Sequence, residues 1–229
     1  TDFPDIRVKS FIQSKDHGAV MTIPREGGYL IRFYVELDQI EKDTRAADLQ
    51  LTEHDIIAKA QKIFHPYTLD VKEVAWWSKF SVGQRLANRF DNRAVDSSDE
   101  IIPRAFVAGD ACHTHSPKGG WGLNTSLPDT FNLGWKMAAV LQGKSKASLL
   151  ATYSTERRKV ANQLINADKE LSILVATRPV AGGASQDAQV DTAKIEAFMK
   201  RQSGFVSGTS IEYFPSYICT GQGNQHLAT

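Results

Sequence analysis

The sequence is poor in the features that define several large protein classes. Its 229 residues include two cysteines, Cys112 and Cys219, too few for a disulfide framework. No apolar run approaches the roughly 18–20 residues that cross a bilayer, and the first ten residues lack the apolar core of a signal peptide. Lys and Arg total 27 against 26 Asp and Glu, which gives a net charge of +1. We therefore expect a cytoplasmic protein with no nucleic-acid or membrane partner.

Strand patterns dominate the N-terminal third. Gly18–Pro24 has the composition of a short strand, and a glycine turn separates it from Tyr29–Leu37, where apolar and polar residues alternate. Alternation places Arg32 and Tyr34 on one face of this second strand. Thr52–Phe64 is predicted to be a helix with Thr52 as its N-cap.

Weaker patterns fill the middle of the chain. Val71–Val82 is predicted to be a strand region with the Trp76-Trp77 pair in its sheet, and Phe90–Glu100 an exposed loop. Arg104–Ala108 is a short apolar stretch and is predicted to be a strand.

Helical patterns dominate the rest. A helix with an apolar stripe begins near Leu123 and is expected to end at Gly143; Pro128 is expected to weaken or kink its first turn. Its stripe comprises Leu123, Leu127, Phe131, Trp135 and Ala138. A long amphipathic helix is predicted over Ser148–Val175, with a buried stripe of Leu149, Tyr153, Val160, Leu164, Leu171 and Val175, and a short helix over Asp191–Arg201.

The stretch from Gly109 to Asn124 is the most informative for function. It combines a strand end, an acidic residue, a glycine-rich loop and a helix start. Free N–H groups at a helix start favour negative charge, and glycines let a flat or anionic ligand approach the backbone. Three interpretations remain open on these residues: a plain connection, a cofactor loop, or a metal site. The metal site would use Asp110, Cys112, His113 and His115, but adjacent Cys and His residues rarely both reach one ion.

The same stretch closely resembles the second FAD-binding motif of the flavoprotein aromatic hydroxylases, the family that contains para-hydroxybenzoate hydroxylase and phenol hydroxylase. The matching residues are Gly109, Asp110, Ala111, His113, Pro117, Gly119, Gly122, Leu123, Asn124, Asp129, Asn132, Leu133, Trp135 and Lys136. Ile31–Val35 and Ile63–Thr68 are similar to segments of phenol 2-monooxygenases. The Tyr153, Glu156 and Arg157 pattern also fits the helix that follows the motif in that family.

The resemblance implies a role for each matching residue. Asp110 would hydrogen-bond the ribityl chain of FAD, and the Pro117 carbonyl would lie near both flavin and substrate. Tyr34 would orient the phenol or assist its deprotonation, and Arg32 would supply a supporting charge. The implied cofactor-binding set is Gly109, Asp110, Pro117, Gly119, Gly120, Gly122, Leu123 and Asn124, with no metal ligand. We expect His113 to shape the turn rather than to act as a base.

The fold that the resemblance implies is α+β: a one-sided mixed β-sheet of a substrate domain, plus the helix-rich C-terminal part of an FAD domain like that of para-hydroxybenzoate hydroxylase. Residues 1–100 would form the sheet region, 101–176 the FAD motif with its two helices, and 177–229 a helix and an irregular tail. No Gly-x-Gly-x-x-Gly turn occurs near the start. The chain is therefore expected to be a fragment without the dinucleotide-binding segment and a C-terminal thioredoxin-like domain, with weak or absent FAD binding alone.

The implied reaction is hydroxylation of a phenolic substrate next to its hydroxyl, with FAD as cofactor, NADPH as reductant, molecular oxygen as co-substrate and a flavin hydroperoxide as the oxygen donor. The resemblance also allows a homodimer of the intact protein. Two alternatives stay open: oxygenation of a larger polyketide-type aromatic, for which Trp121 would be a stacking surface, and an inert remnant that packs against a partner chain.

Overall fold

The computed structural model describes residues 1–37, 50–79, 83–94, 101–176, 192–213 and 218–219. The chain divides into two compact units: Thr1–Ser81 with Leu174–Thr192, and Val82–Ile173 with Ala193–Thr229. Helices and small antiparallel sheets together confirm the α+β class. The segment boundaries at residues 100 and 176 stay a prediction.

In the described residues, the first unit is a three-stranded sheet packed on a helix. β1 (Ser10–Ser14), β2 (Gly18–Pro24) and β3 (Ile31–Val35) pair in that order. Both pairings are antiparallel, with Thr22 opposite Phe33, so the described part of this sheet is not mixed. The β2–β3 hairpin confirms the prediction from alternation. β1 was not predicted, because Ser-Phe-Ile-Gln-Ser is short and half polar.

Helix α1 (Glu53–Phe64) closes the core of this unit. It begins where the sequence predicts, because the Thr52 side chain accepts from the Asp55 backbone N–H while the Asp55 carboxylate accepts from the Thr52 N–H. The core is apolar and is centred on Val20, Ala60, Ile63 and Phe64. The Phe33 and Phe64 rings meet edge-to-face with centroids 5.8 Å apart.

Two predictions for the middle of the chain are wrong. Residues 71–79 form no strand, and Trp76 and Trp77 are exposed rather than packed in a sheet. Alternation supplies an apolar face, but a strand also needs a neighbour to pair with, and none of the described strands pairs here. Residues 80–82 lie outside the described part of the chain.

The predicted exposed loop over Phe90–Glu100 is also wrong in its first part. Phe90 and Arg93 are buried, and Phe90 packs with Tyr153 in the core of the second unit. Residues 95–100 are outside the described ranges. The predicted strand over Arg104–Ala108 is reduced to a single bridge between Asp91 and Phe106.

The second unit is built around two helices. β4 (Arg85–Leu86) pairs with β5 (His113–Thr114), and a 3-10 turn, Gly109–Ala111, precedes β5. α2 (Gly122–Leu141) runs through Pro128 without interruption and ends beside Gly143, whose φ is 68°.

The remaining helices confirm two sequence predictions. α3 (Ala151–Ala176), together with the 3-10 turn Ala147–Leu150 before it, buries the whole predicted apolar stripe, from Leu149 to Val175. α4 (Thr192–Val206) confirms the short C-terminal helix but extends it by about a turn. No helix in the described ranges has the length and apolar character that crossing a membrane demands.

The buried face of α2 is opposite to the predicted one. The four large members of the apolar stripe are 42% to 75% exposed: Leu123, Leu127, Phe131 and Trp135. The buried side chains of this helix are Thr125, Asp129, Asn132 and Lys136. Hydrophobic periodicity selects the wrong face here because the polar side chains have partners on α3 that compensate their burial.

Candidate functional site

The 3-10 turn Gly109–Ala111 presents an unpaired carboxylate. Gly109 has a φ of 61°, and a Cβ there would lie 3.2 Å from the Ser126 side chain, so a glycine lets the turn rest against α2. Asp110 is exposed, and its carboxylate forms no hydrogen bond or ion pair with any other described residue. This carboxylate is therefore available to a ligand.

The loop between β5 and α2 contains a tight turn with an open outer side. The Gly120 N–H donates to the Pro117 carbonyl at 3.1 Å. Gly120 has a φ of 69°, and a Cβ there would meet no atom within 4 Å. A flat group can therefore approach the Gly120 backbone from solvent.

Helix α2 begins without a side-chain cap. The Thr125 N–H donates to the Trp121 carbonyl at 3.0 Å, so the N–H groups of the three preceding residues have no acceptor within the helix. Two of these residues, Leu123 and Asn124, are exposed. This helix start therefore offers free donors and a partial positive charge.

The inner side of the same loop is filled by the Trp121 and His115 rings. Trp121 is buried, and its ring centroid lies 6.4 Å from that of Phe198 on α4. A Cβ at Gly119 would overlap the Trp121 indole, and one at Gly122 would lie 3.0 Å from the His115 ring. The missing Cβ atoms of Gly119 and Gly122 therefore leave room for the Trp121 and His115 side chains on the inner side of the loop. Trp121 is consequently not the exposed stacking surface that the polyketide alternative expects.

A buried carboxylate on α2 fixes the first end of the loop. Asp129 is fully buried; one of its oxygens accepts from His113 Nε2 at 2.7 Å and from the Gly109 N–H at 3.2 Å. The other accepts from Arg157 Nε at 2.7 Å. Asp129 thus connects the Gly109–Ala111 turn, which contains Asp110, to both α2 and α3. His113 is buried beside this turn, and its structural role stays a prediction.

A second buried carboxylate, on α3, contacts the loop farther along. Asp168 accepts from the Ser116 N–H at 2.9 Å, from the Ser116 hydroxyl, and from Gln84 Nε2 at 2.8 Å. Both Asp168 and Ser116 are buried. The residue that precedes Pro117 is therefore held through both its backbone and its side chain.

A third cluster joins the helices deeper in the unit. Glu156 accepts from Lys136 Nζ at 2.6 Å and from Asn132 Nδ2 at 2.8 Å, with all three side chains buried. Burial lowers the pKa of Lys136, although the hydrogen bond with Glu156 opposes this shift. Polar burial thus extends well beyond the loop.

These buried groups were missed as functional residues, although the resemblance included Asp129, Asn132, Lys136, Glu156 and Arg157. The available signal was their spacing. Thr125, Asp129, Asn132 and Lys136 recur every three or four residues and so define a continuous polar face of α2.

Tyr34 and Arg32 lie on β3 in the first unit. Arg32 is exposed, and its Nη1 donates to the half-buried Tyr34 hydroxyl at 3.4 Å. The structure thus pairs these two residues, as the strand alternation predicts. Pro117 belongs to the second unit.

Comparison with known proteins gives the family. Residues 2–168 match the family described as "FAD binding domain". The chain belongs to this family.

Curated relatives of this chain include 3-hydroxybenzoate 4-monooxygenase of Comamonas testosteroni, 46% identical over 231 residues, which cover 100% of this chain and 36% of the relative. Phenol 2-monooxygenase fsqG of Aspergillus fumigatus is 38% identical over 97% of this chain and 34% of its own length. Among solved structures, OxyS anhydrotetracycline hydroxylase from Streptomyces rimosus matches with a TM-score of 0.64 and 25% identity over 90% of this chain and 38% of its own. The chain spans about a third of the length of the curated relatives it matches.

The metal alternative does not fit the residues that the structure brings together. Only Cys112, His113 and Asp129 bring candidate ligand atoms together in the described ranges, within 4.8 Å of one another. Burial and the neighbouring Asp129 raise the pKa of the Cys112 thiol to about 12, which opposes the thiolate that a metal needs. Both Asp129 oxygens already accept hydrogen bonds.

Proposed function

We propose that this chain supplies the flavin-facing turn and the substrate-side strand of an FAD-dependent aromatic monooxygenase. The observation that carries the proposal is the open start of α2 together with the exposed, unpaired carboxylate of Asp110. The named activities of the 3-hydroxybenzoate and phenol monooxygenases support it.

The residues present fit the flavin of FAD. The free N–H groups at Gly122, Leu123 and Asn124 suit the pyrimidine rim, which gains negative charge on reduction. Asp110 is placed to accept hydrogen bonds from ribityl hydroxyls, and its turn is formed by Gly109. The outer side of the Pro117–Gly120 turn is open to a planar ring. Gly119 would contribute by keeping this turn close to Trp121.

FAD, when bound, would take electrons from NADPH and activate molecular oxygen for transfer to an aromatic ring. The chain's own contribution on the substrate side is the Tyr34–Arg32 pair. Because Arg32 donates to the Tyr34 oxygen, the Tyr34 hydrogen is free to donate to a phenol oxygen. The Pro117 carbonyl accepts the Gly120 N–H and keeps a second lone pair for a substrate or flavin group.

The proposed substrate is a small phenol, hydroxylated at the carbon next to its hydroxyl. The name of the Comamonas relative describes this outcome, because position 4 of 3-hydroxybenzoate neighbours the hydroxyl at position 3. We further propose that the intact enzyme is a homodimer; sedimentation of the purified protein tests this.

Asp110→Ala in the full-length enzyme tests the cofactor role. Loss of a charged acceptor costs about 1.5–3 kcal/mol, so the FAD dissociation constant should rise by about tenfold or more. Titration of the apoprotein with FAD measures it. Asp5→Ala, which removes an exposed carboxylate in the first unit, is the control. An unchanged affinity in Asp110→Ala would show that Asp110 does not bind the cofactor.

Tyr34→Phe tests the substrate role. Hydroxylation should slow by roughly 100-fold, within the range for a positioned proton-transfer group, while flavin reduction by NADPH stays near its original rate. Stopped-flow absorbance separates the two steps. Tyr29→Phe, an exposed tyrosine next to the same strand, is the control. Equal slowing of both steps by Tyr34→Phe would show that Tyr34 has no specific role toward the substrate.

A larger polyketide-type aromatic is a second candidate substrate, favoured by the similarity to the anhydrotetracycline hydroxylase. Product analysis with simple phenols and with multi-ring phenols distinguishes the two. An inert remnant would fail both the FAD titration and the product assay.

A further inference from the structure

We propose that Asp168 is a positioning residue for the loop that carries Pro117, and that it acts through Ser116. The inference rests on the proposed function, because it concerns the loop assigned to the flavin. It adds a residue on α3 that touches neither proposed ligand.

The contacts of Asp168 are concentrated on one residue. One carboxylate oxygen accepts the Ser116 N–H at 2.9 Å, and the other accepts the Ser116 hydroxyl. Backbone and side-chain anchors together fix both the position and the rotation of Ser116. Gln84 Nε2 donates to the same carboxylate at 2.8 Å.

Ser116 passes this restraint into the turn. Its hydroxyl oxygen accepts the Lys118 N–H at 3.3 Å, and its carbonyl accepts from His115 Nδ1 at 2.8 Å. Its next neighbour is Pro117, whose ring fixes φ and whose carbonyl accepts the Gly120 N–H. A connected set of hydrogen bonds therefore runs from Asp168 to the open face of the turn.

The cost of burying Asp168 argues for a positional role. Asp168 is 0% exposed, and its hydrogen-bond donors are neutral; no ion pair to Asp168 occurs among the described residues. A buried carboxylate without a cation is expensive, because only hydrogen bonds from neutral groups compensate its loss of hydration. Asp129, in contrast, is paired with Arg157.

Two substitutions that keep the number and branching of the side-chain heavy atoms separate hydrogen bonding from packing. Asp168→Asn can keep all three contacts, because its oxygen accepts from the Ser116 N–H and Gln84 while its NH₂ donates to the Ser116 hydroxyl oxygen. Asp168→Leu fills the space and removes every hydrogen bond. A positional role predicts that Asn preserves the loop and Leu does not.

Amide hydrogen exchange in the full-length protein, without substrate, tests the loop directly. Peptides over residues 112–124 should exchange faster in Asp168→Leu than in the unchanged protein, and at an unchanged rate in Asp168→Asn. Peptides from the β2–β3 hairpin should not change in either variant. Equal exchange over residues 112–124 in all three proteins would overturn the proposal.

A second experiment tests the consequence for the reaction in the FAD-loaded enzyme. It measures coupling, which is the share of consumed NADPH that yields hydroxylated product rather than peroxide. Asp168→Leu should keep its FAD, because the Asp110 turn is held by Asp129, but should release peroxide in place of hydroxylated product. Hydroxylation should fall by up to about 100-fold, the loss that a displacement of about 1 Å can cause. The visible circular dichroism of the flavin should change in the same variant. Asp168→Asn should restore both readouts.

The outcomes separate the two proposals. If the unchanged enzyme holds no FAD, the proposed function fails, and the exchange experiment still decides whether Asp168 fixes the loop. If Asp168→Leu couples like the unchanged enzyme, the inference fails and the proposed function stands. Should Asp168→Leu not fold, Ser116→Ala removes only the two hydrogen bonds of the Ser116 hydroxyl, to Asp168 and from the Lys118 N–H, and should raise both exchange and peroxide release. No rise in either would overturn the proposal.

Discussion

The interiors of the two units are stabilised by different kinds of interaction. The first has a core of aliphatic and aromatic side chains around Phe64, with rings packed edge-to-face. The second places buried carboxylates, an arginine and a lysine between α2 and α3. The apolar core has no direction and tolerates exchange of similar shapes, whereas each buried charge depends on particular partners. The unit that carries the Gly109–Asn124 loop is therefore the one whose interior contains charges that depend on particular hydrogen-bond partners.

The largest effect is expected from removing Asp129, the buried carboxylate that pairs with Arg157. Asp129→Ala leaves the Arg157 guanidinium, His113 and the Gly109 N–H buried without their acceptor. The free energy of unfolding should fall by about 3–5 kcal/mol. Urea denaturation followed by tryptophan fluorescence measures it, since Trp121 is buried in this unit.

Asp110→Ala is the matched control for that experiment, because its carboxylate is exposed and has no protein partner in the described ranges. Its stability should stay within about 0.5 kcal/mol of the unchanged chain. A loss below about 1 kcal/mol in Asp129→Ala would contradict the central role of the charges.

An intermediate effect is expected when the stability of the second unit is measured as a function of pH. Burial, and then Asp129, raise the pKa of the Cys112 thiol from 9.0 to about 12. Between these values the folded chain retains a proton that the unfolded chain has lost, so stability is complete below pH 9 and falls as pH rises. From pH 8 to pH 10 this group should remove about 1.4 kcal/mol.

Urea denaturation at both pH values, in the unchanged chain and in Cys112→Ala, measures the contribution of the thiol. The alanine variant should lose less stability over the interval than the unchanged chain. An identical loss in both would show that the thiol does not titrate abnormally.

The smallest effect belongs to the apolar unit. Ile63→Val removes one buried methylene from the core beside Phe64 and should cost about 0.5–1.5 kcal/mol. Far-ultraviolet circular dichroism during denaturation reports it. A cost comparable to that of Asp129→Ala would erase the difference between the two units.

The sequence predicts the first unit well because its signals are local. The alternation in Ile31–Val35 and the Thr52–Asp55 capping box each specify one element without reference to distant residues. The region of Trp76 fails because pairing requires a partner strand, which no local pattern reveals.

In the second unit, the prediction of the buried face of α2 fails for another physical reason. Hydrophobic periodicity assumes that apolar residues face the core, yet α2 buries Asp129 and exposes Phe131. The charges on α3 that make this favourable lie more than twenty residues away. The candidate loop was recognised by its glycines and its acid, but Asp168 could be connected to Ser116 only through the folded structure.

The most direct test is a crystal structure of the full-length protein with FAD. We predict the Asp110 carboxylate within hydrogen-bonding distance of the ribityl hydroxyls, and the pyrimidine rim against the N–H groups that begin α2. A flavin bound elsewhere, with Asp110 still facing solvent, would contradict it.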